Sequence, residues 1–379
     1  MKRPRVLLVT RNLPPLVGGM ERLNWHMADE LSRHAEVRVI GPAGAAAIAP
    51  AGVSVDEVPL RPLWKFLLRA QWRAWCMVRS WRPDVVFAGS GLTAPVAWLA
   101  ARACGAYGAV YAHGLDLAVR HPVYRSLWWP VLRHMDQVIA NSHATAALAQ
   151  SMGVLPGRIG IVHPGVDLPV ASVDAPAQPD FRAQHQLGQR PLLLSVGRLS
   201  TRKGLREFVS QALPHIVAAY PDVLLLVVGD APRDALHAQA QTPESIRAAA
   251  EQAGVAQNLR FLGTITDYQR LGEVYRAADV HVFPVRDLPG DPEGFGMVAV
   301  EAAAHGLPTV AFATGGVVDA VAEGWSGCLV RGGDYTAFAG MVLRVLPERE
   351  ALRASSIEFA RQFAWSVFGS KIAAQLDIA

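Results

Sequence analysis

Thirteen short apolar runs, most of them rich in Val, Ile or Leu, punctuate this chain, and stretches of helical periodicity lie between them. Alternation of this kind confines a polypeptide to βαβ units winding a parallel sheet. In the first half the predicted strands are Arg5–Thr10, Glu36–Ile40, Val53–Val58, Asp84–Ala88, Gly108–Ala112, Asp136–Ala140 and Ile159–Val162, with helices near 20–34, 63–81, 92–103 and 142–151. In the second half they are Leu192–Val196, Val223–Val228, Leu259–Leu262, Asp279–Phe283, Thr309–Phe312 and Cys328–Val330, each followed by a helix-forming segment. Between the two sets, Leu168–Asp180 carries Pro169, Pro176 and Pro179 and no strand or helix period, which marks a linker. The fold class is therefore α/β, with two Rossmann-like doubly wound domains at 1–172 and 173–361. With 51% apolar residues in 379, each has material for its own core.

The charge balance narrows the partners. A formal charge of +4, from 36 basic and 32 acidic residues, is far below the density that neutralises phosphates along a nucleic-acid groove, so no nucleic-acid partner is expected. Cys76, Cys104 and Cys328 lie far apart with no C-x-x-C spacing, so neither a disulfide framework nor a zinc site is encoded and a reducing cytosol is expected. The apolar run Val6–Thr10 ends at Arg11, too short for a signal-peptide core. The uncharged stretch Val85–Ala101 is broken by Gly89, Gly91 and Pro95, so no membrane-spanning segment is predicted.

In doubly wound sheets, ligands bind beyond the carboxyl ends of the strands, and the informative residues fall there. After the first strand, Gly18-Gly19 opens a helix, a turn that lets backbone approach a ligand and points free N–H groups at an anion. It lacks the G-x-G-x-x-G spacing of a dinucleotide fingerprint, and the plainer reading is a helix start. After the eighth strand, Gly197-Arg198-Leu199-Ser200-Thr201-Arg202-Lys203-Gly204 places Arg198 and Lys203 on one loop at a helix N-terminus, a guanidinium fork and a point charge suited to a diphosphate. Taken singly, each is a solvated loop cation. Glu293-Gly-Phe-Gly-Met-Val-Ala-Val-Glu301 sets two carboxylates eight positions apart, one in a Gly-rich turn and one about two turns further along. The spacing alone also fits a solvated helix face.

Together with His113-Gly114, Asn141-Ser142, His163-Pro164-Gly165-Val166-Asp167, Thr314-Gly315-Gly316 and Phe363-Ala364-Trp365, these motifs resemble the retaining family 4 glycosyltransferases of the GT-B fold, along essentially the whole chain. The resemblance implies two domains facing across a cleft, with a C-terminal helix at 362–379 crossing back to the first. It implies that Arg198 and Lys203 hold the donor diphosphate and Glu301 its ribose. By the same resemblance Glu293 contacts the transferred sugar, with Phe295, Gly296, Met297 and Val298 beside it. Leu262, within Arg260–Gly263, would supply backbone contacts to the base; Gly18 and Gly19 would close over the diphosphate; His113 would steady the developing oxocarbenium. No cofactor and no divalent metal are expected, because Arg, Lys and a helix dipole neutralise the leaving group. Three departures bear on fine contacts: Gly229-Asp230 where a second Gly is usual, Asp319 where Glu is commoner, and the long acidic loop Arg286–Pro292.

One helix has a further signature. Arg61, Lys65, Arg69 and Arg73 step by four beside a stripe of Trp64, Leu68, Trp72 and Trp75, and no acidic residue interrupts Arg61–Arg82. Such a helix settles at an anionic membrane interface; its alternative is core packing with a solvated cationic face. The function expected is transfer of a hexose, mannose or glucose in type, from a GDP- or UDP-sugar to a polyprenyl-linked or saccharide acceptor. The work would be done at the cytoplasmic face of the inner membrane, in lipopolysaccharide, exopolysaccharide or glycolipid assembly. The rivals are a sugar-nucleotide epimerase or phosphorylase on the same architecture, and a catalytically silent membrane-docking partner of a glycan assembly complex.

Overall fold

The computed structural model describes residues 3–169, 181–231 and 240–379. Most of the expected linker, 170–180, lies outside them. The chain divides into two units: Met1–Gly165 with Trp365–Ala379, and Val166–Ala364.

The first unit holds seven parallel strands: β1 (Arg5–Val9), β2 (Glu36–Pro42), β3 (Ser54–Val58), β4 (Val85–Ala88), β5 (Tyr107–Ala112), β6 (Gln137–Ala140) and β7 (Ile159–Ile161), in the order β3-β2-β1-β4-β5-β6-β7. β1 is central, pairing Val6 with Val37 on one side and Val85 on the other. Its Val6, Leu7, Leu8 and Val9 are fully buried, as expected of a strand covered by helices on both faces. Because the order reverses at β1, the loops after β1 and β4 diverge and leave a crevice at the strands' carboxyl ends.

The helix Leu63–Trp81 lies where the sequence predicts it. Nineteen residues without an internal Gly or Pro carry it, and Arg82 ends it in a left-handed conformation before Pro83. Phe66, Ala70, Ala74, Val78 and Trp81 form its buried stripe. Trp81 is pinned through Nε1 to Glu36 Oε1 at 3.0 Å. The next helix, Ala94–Cys104, packs against it, and Pro122–His134 packs against that one in turn. The closing helix Trp365–Gln375 lies on Gly19–His34, where His26 stacks on Trp365 with ring centroids 3.9 Å apart.

The second unit repeats the plan with six parallel strands: β8 (Leu192–Val196), β9 (Leu224–Val228), β10 (Leu259–Gly263), β11 (Val280–Phe283), β12 (Thr309–Phe312) and β13 (Gly327–Val330), in the order β10-β9-β8-β11-β12-β13. The reversal falls at β8, which pairs Leu193 with Leu225 and with Val280. The sequence and the structure thus agree on an α/β class of two doubly wound sheets. One count differs: the helix after β11 begins only at Met297, so Glu301 lies little more than one turn into it.

Candidate functional site

The switch point of the second unit brings three loops together. The loop after β8 carries Arg198 and a short 3-10 turn, Thr201–Lys203; the loop after β11 carries Asp291 and Glu293; the loop after β12 carries Gly315 and Gly316. The first two touch back to back, since a side chain at Gly204, which has φ 68°, would meet the Pro284 carbonyl oxygen at 2.2 Å. Gly316 donates its N–H to the Glu293 carbonyl at 2.9 Å, and a Cβ there would lie 2.0 Å from the Gly294 oxygen. The Gly-Gly of the third loop therefore braces the main chain that carries Glu293.

At the centre Lys203 Nζ donates to Glu293 Oε2 at 2.8 Å, and Arg202 Nε lies 3.3 Å from the same oxygen. Arg202 also donates from Nη1 to Asp291 Oδ1 at 2.8 Å and to the Pro292 carbonyl at 3.0 Å. The three side chains Arg202, Lys203 and Glu293 are 10%, 16% and 11% exposed, whereas Arg198 is open to solvent. Burial by itself would raise the Glu293 carboxyl, but the Lys203 and Arg202 charges outweigh it and hold the group down at about 2. Lys203 falls below its ordinary value, because burial and the neighbouring Arg202 and Arg198 oppose its charge while Glu293 supports it. Three cations face two carboxylates, so the cluster has positive charge to spare for an anion.

Glu301 is half-buried, and its Oε2 accepts from the hydroxyl of Tyr275 at 3.1 Å. Phe295 turns its ring into the core, 2% exposed and 5.7 Å from Phe363, so only its main chain can serve a ligand. Gly296 caps the helix Met297–Ala304, and Met297 and Val298 are half-buried at its start. Leu262, on β10, is half-buried and packs in one apolar cluster with Ile265 and Val298. His281 is fully buried on β11, where burial and the Lys203 charge push its imidazole down to about 3 and keep it neutral.

The first unit has its own cluster at its switch point. Asp116 joins two loops, accepting from the Gly91 N–H at 2.7 Å and from the His113 N–H at 2.9 Å. His113 Nε2 donates to the Gly89 carbonyl at 2.9 Å, which fixes the tautomer with its proton on Nε2. The side-chain oxygens of Ser90 and Asn141 are buried there without a hydrogen-bond partner among the described residues. At Gly18-Gly19 the helix start is occupied by the protein itself: Glu21 folds back against Gly18 and accepts from Asn12 Nδ2 at 2.7 Å.

On the helix Leu63–Trp81, Trp64, Leu68, Trp72 and Trp75 are 59%, 63%, 61% and 41% exposed, so this stripe is not core; of the helix's tryptophans, Trp81 alone is buried. Cations lie on three of these indoles: Lys65 over Trp64, Arg73 over Trp72 and Arg79 over Trp75. Arg61 precedes the helix, and Arg69 is exposed on it. Leu99, Val123 and Leu127 add exposed apolar surface on the two helices that follow.

Sequence reasoning missed Arg202, Tyr275 and Asp116. Arg202 stands inside the very run that singled out Lys203, and the signal was its adjacency; Asp116 lies three residues past His113. Tyr275 left no trace, because nothing in a helical pattern distinguishes a buried phenol that reaches a carboxylate.

Comparison with known proteins fits this geometry. Residues 17–169 match the family model described as Glycosyltransferase Family 4, and residues 177–363 match that described as Glycosyl transferases group 1. The chain is 36% identical over 245 residues to D-inositol 3-phosphate glycosyltransferase 2 of Catenulispora acidiphila, covering 61% of this chain and 53% of that protein. It is 32% identical over 303 residues to the D-inositol 3-phosphate glycosyltransferase of Segniliparus rotundus, covering 76% of this chain and 64% of that protein. The alignments therefore span less than two thirds of these relatives. Over 97% of both chains it is 29% identical to the GDP-mannose-dependent alpha-(1-6)-phosphatidylinositol monomannoside mannosyltransferase of Mycobacterium tuberculosis. Among solved structures, Anabaena HepE in complex with UDP superposes with a TM-score of 0.76 at 19% identity, covering 98% of this chain and 99% of that one. A glycosyltransferase of Rickettsia africae gives 0.79 at 17%, covering 100% and 99%. At such identities the likeness is one of fold, and that fold is GT-B.

Proposed function

With both of its units matched to glycosyltransferase family models, we propose that this chain is a retaining GT-B glycosyltransferase that moves a hexose from a nucleotide-diphosphate sugar to a lipid-linked or saccharide acceptor. The observation that carries this reading is the Arg202–Lys203–Glu293 cluster with Arg198 beside it, a buried cationic site beyond the carboxyl ends of β8 and β11. Arg198 and Lys203 hold the donor diphosphate, and Arg202 keeps Glu293 and Asp291 in place around it. The amides at the start of the helix Met297–Ala304 add a positive dipole end. These fixed charges stabilise the departing diphosphate in the role a divalent metal has elsewhere, and we propose that none is needed.

Glu293 faces the sugar hydroxyls, with the amides from Phe295 to Val298 nearby, Glu301 faces the ribose diol, and the main chain around Leu262 contacts the base. As the bond between the anomeric carbon and the phosphate oxygen breaks, the acceptor oxygen attacks from the same face and its proton passes to the leaving phosphate, so configuration is kept and no protein base is assigned. His113 supports the oxocarbenium, with Ser90 and Asn141 offering unpaired oxygens to a hydroxylated acceptor. The M. tuberculosis relative, aligned along 97% of both chains, is GDP-mannose-dependent by name, which favours mannose on GDP over glucose on UDP.

The exposed Trp64, Trp72 and Trp75, laced with cations, suit docking on an anionic membrane, where a lipid-linked acceptor would be met. No helix among the described residues is long and apolar enough to cross one. Glycolipid or polysaccharide assembly at the cytoplasmic face of the inner membrane is the setting we propose. Proton NMR of the product formed from an α-linked GDP-mannose or UDP-glucose donor tests the reaction: an α-glycoside is expected, and a β-glycoside would overturn retention.

A further inference from the structure

The second unit buries a tyrosine that the roles above leave unused. Tyr275 lies on the helix Tyr268–Ala277, is 1% exposed, and donates its hydroxyl to Glu301 Oε2 at 3.1 Å. Its ring is held on two sides. His305 stacks on it with centroids 5.2 Å apart and planes at 19°, and His281 meets it edge-on at 6.5 Å. His305 is itself fixed, since Nδ1 donates to the Glu301 main-chain carbonyl at 2.9 Å. Burial lowers the His305 imidazole, so it stays neutral and keeps that single donor role.

A glutamate side chain has three torsions, and the last is broad, so a carboxylate on a helix does not keep one plane unaided. A ribose diol presents two hydroxyl donors at fixed separation and is met well only by a carboxylate held in the matching plane. The hydrogen bond from Tyr275 ties one Glu301 oxygen to a clamped ring. We propose that Tyr275 is a positioning residue that sets the Glu301 carboxylate for the vicinal diol of the donor ribose, and so lets the site prefer ribonucleotides to deoxyribonucleotides. This rests on the assignment of Glu301 to the ribose.

Tyr275→Phe keeps the stacked ring and removes only the hydroxyl. The test is calorimetric titration of the full chain with GDP and 2′-deoxy-GDP, and with UDP and 2′-deoxy-UDP, for the unaltered protein, Tyr275→Phe, Glu301→Ala and the double variant. Hydrogen bonds to a charged group are worth about 1.5–3 kcal/mol, so the unaltered protein should prefer the ribonucleotide roughly 10- to 100-fold. Tyr275→Phe should shrink that preference at least about threefold by weakening ribonucleotide binding alone, and should add nothing to Glu301→Ala. A preference that survives Tyr275→Phe unchanged, or an equal loss for both nucleotides, overturns the role of Tyr275 while leaving Glu301 on the ribose. No preference in the unaltered protein overturns the Glu301 assignment and this inference with it.

Discussion

Replacing Glu293 by Gln strands a buried cation, and the structure sets the size of the effect. The carboxylate lies 2.8 Å from Lys203 Nζ and 3.3 Å from Arg202 Nε. Removing one partner of a buried ion pair costs about 3–5 kcal/mol when the other charge is left uncompensated. Here Arg202 keeps Asp291 at 2.8 Å, and Lys203, 16% exposed, retains some access to water. About 2–3 kcal/mol is therefore expected, which lowers the transition of a unit of this size by roughly 5–10 °C. The sign of the pH dependence follows from the carboxyl held at about 2 against an ordinary 4.5. Its stabilisation is present above 4.5 and lost as pH falls through 2, so unaltered and variant proteins converge over that window and differ fully at pH 7. Differential scanning calorimetry at pH 7 and across the acid range reads both effects. A nucleoside diphosphate supplies the counter-charge that Lys203 has lost, so it should raise the variant's transition more than the unaltered protein's while turnover falls. A transition shifted by less than about 1 °C, or equal stabilisation of both proteins by the nucleotide, would show that Glu293 does not compensate the Lys203 charge.

Three other outcomes are expected. Lys203→Ala removes a charge-assisted contact to the diphosphate and should weaken nucleoside-diphosphate binding about 10- to 100-fold by calorimetry; near-normal binding would remove it from the site. Gly316→Ala places a methyl 2.0 Å from the Gly294 oxygen and should cost about 1–3 kcal/mol in chemical denaturation, with loss of turnover as Glu293 shifts; a neutral result would show that the loop yields. Trp64→Ala with Trp72→Ala should reduce co-sedimentation with anionic vesicles at low salt several-fold without moving the thermal transition, since both indoles are exposed; unchanged sedimentation would assign the stripe another purpose.

The inner strands of the described residues were legible because parallel strands covered on both faces need continuous apolar runs, as Leu192–Val196 and Thr309–Phe312 show residue for residue. The helix Leu63–Trp81 was equally plain, for its stripe from Phe66 to Trp81 keeps one period throughout. The helix Pro122–His134 escaped because Leu132 alone is buried on it and Pro130 interrupts its pattern. In the site, Arg198, Lys203, Glu293 and Glu301 could be picked out by residue type just after strands. That Lys203 and Glu293 bind each other could not, since the contact joins loops ninety positions apart. The clamp on Glu301 was illegible for the same reason: Tyr275 and His305 meet only through the packing of two helices and a strand.

We propose that the cationic cluster beyond β8 and β11 holds a nucleoside diphosphate. Its most direct test is calorimetric titration of the protein, in the presence of a metal chelator, with UDP, GDP and ADP. One diphosphate should bind in the micromolar range, and Lys203→Ala should weaken that binding about 10- to 100-fold. Failure of all three to bind a folded sample would contradict it and leave a catalytically silent partner as the better description.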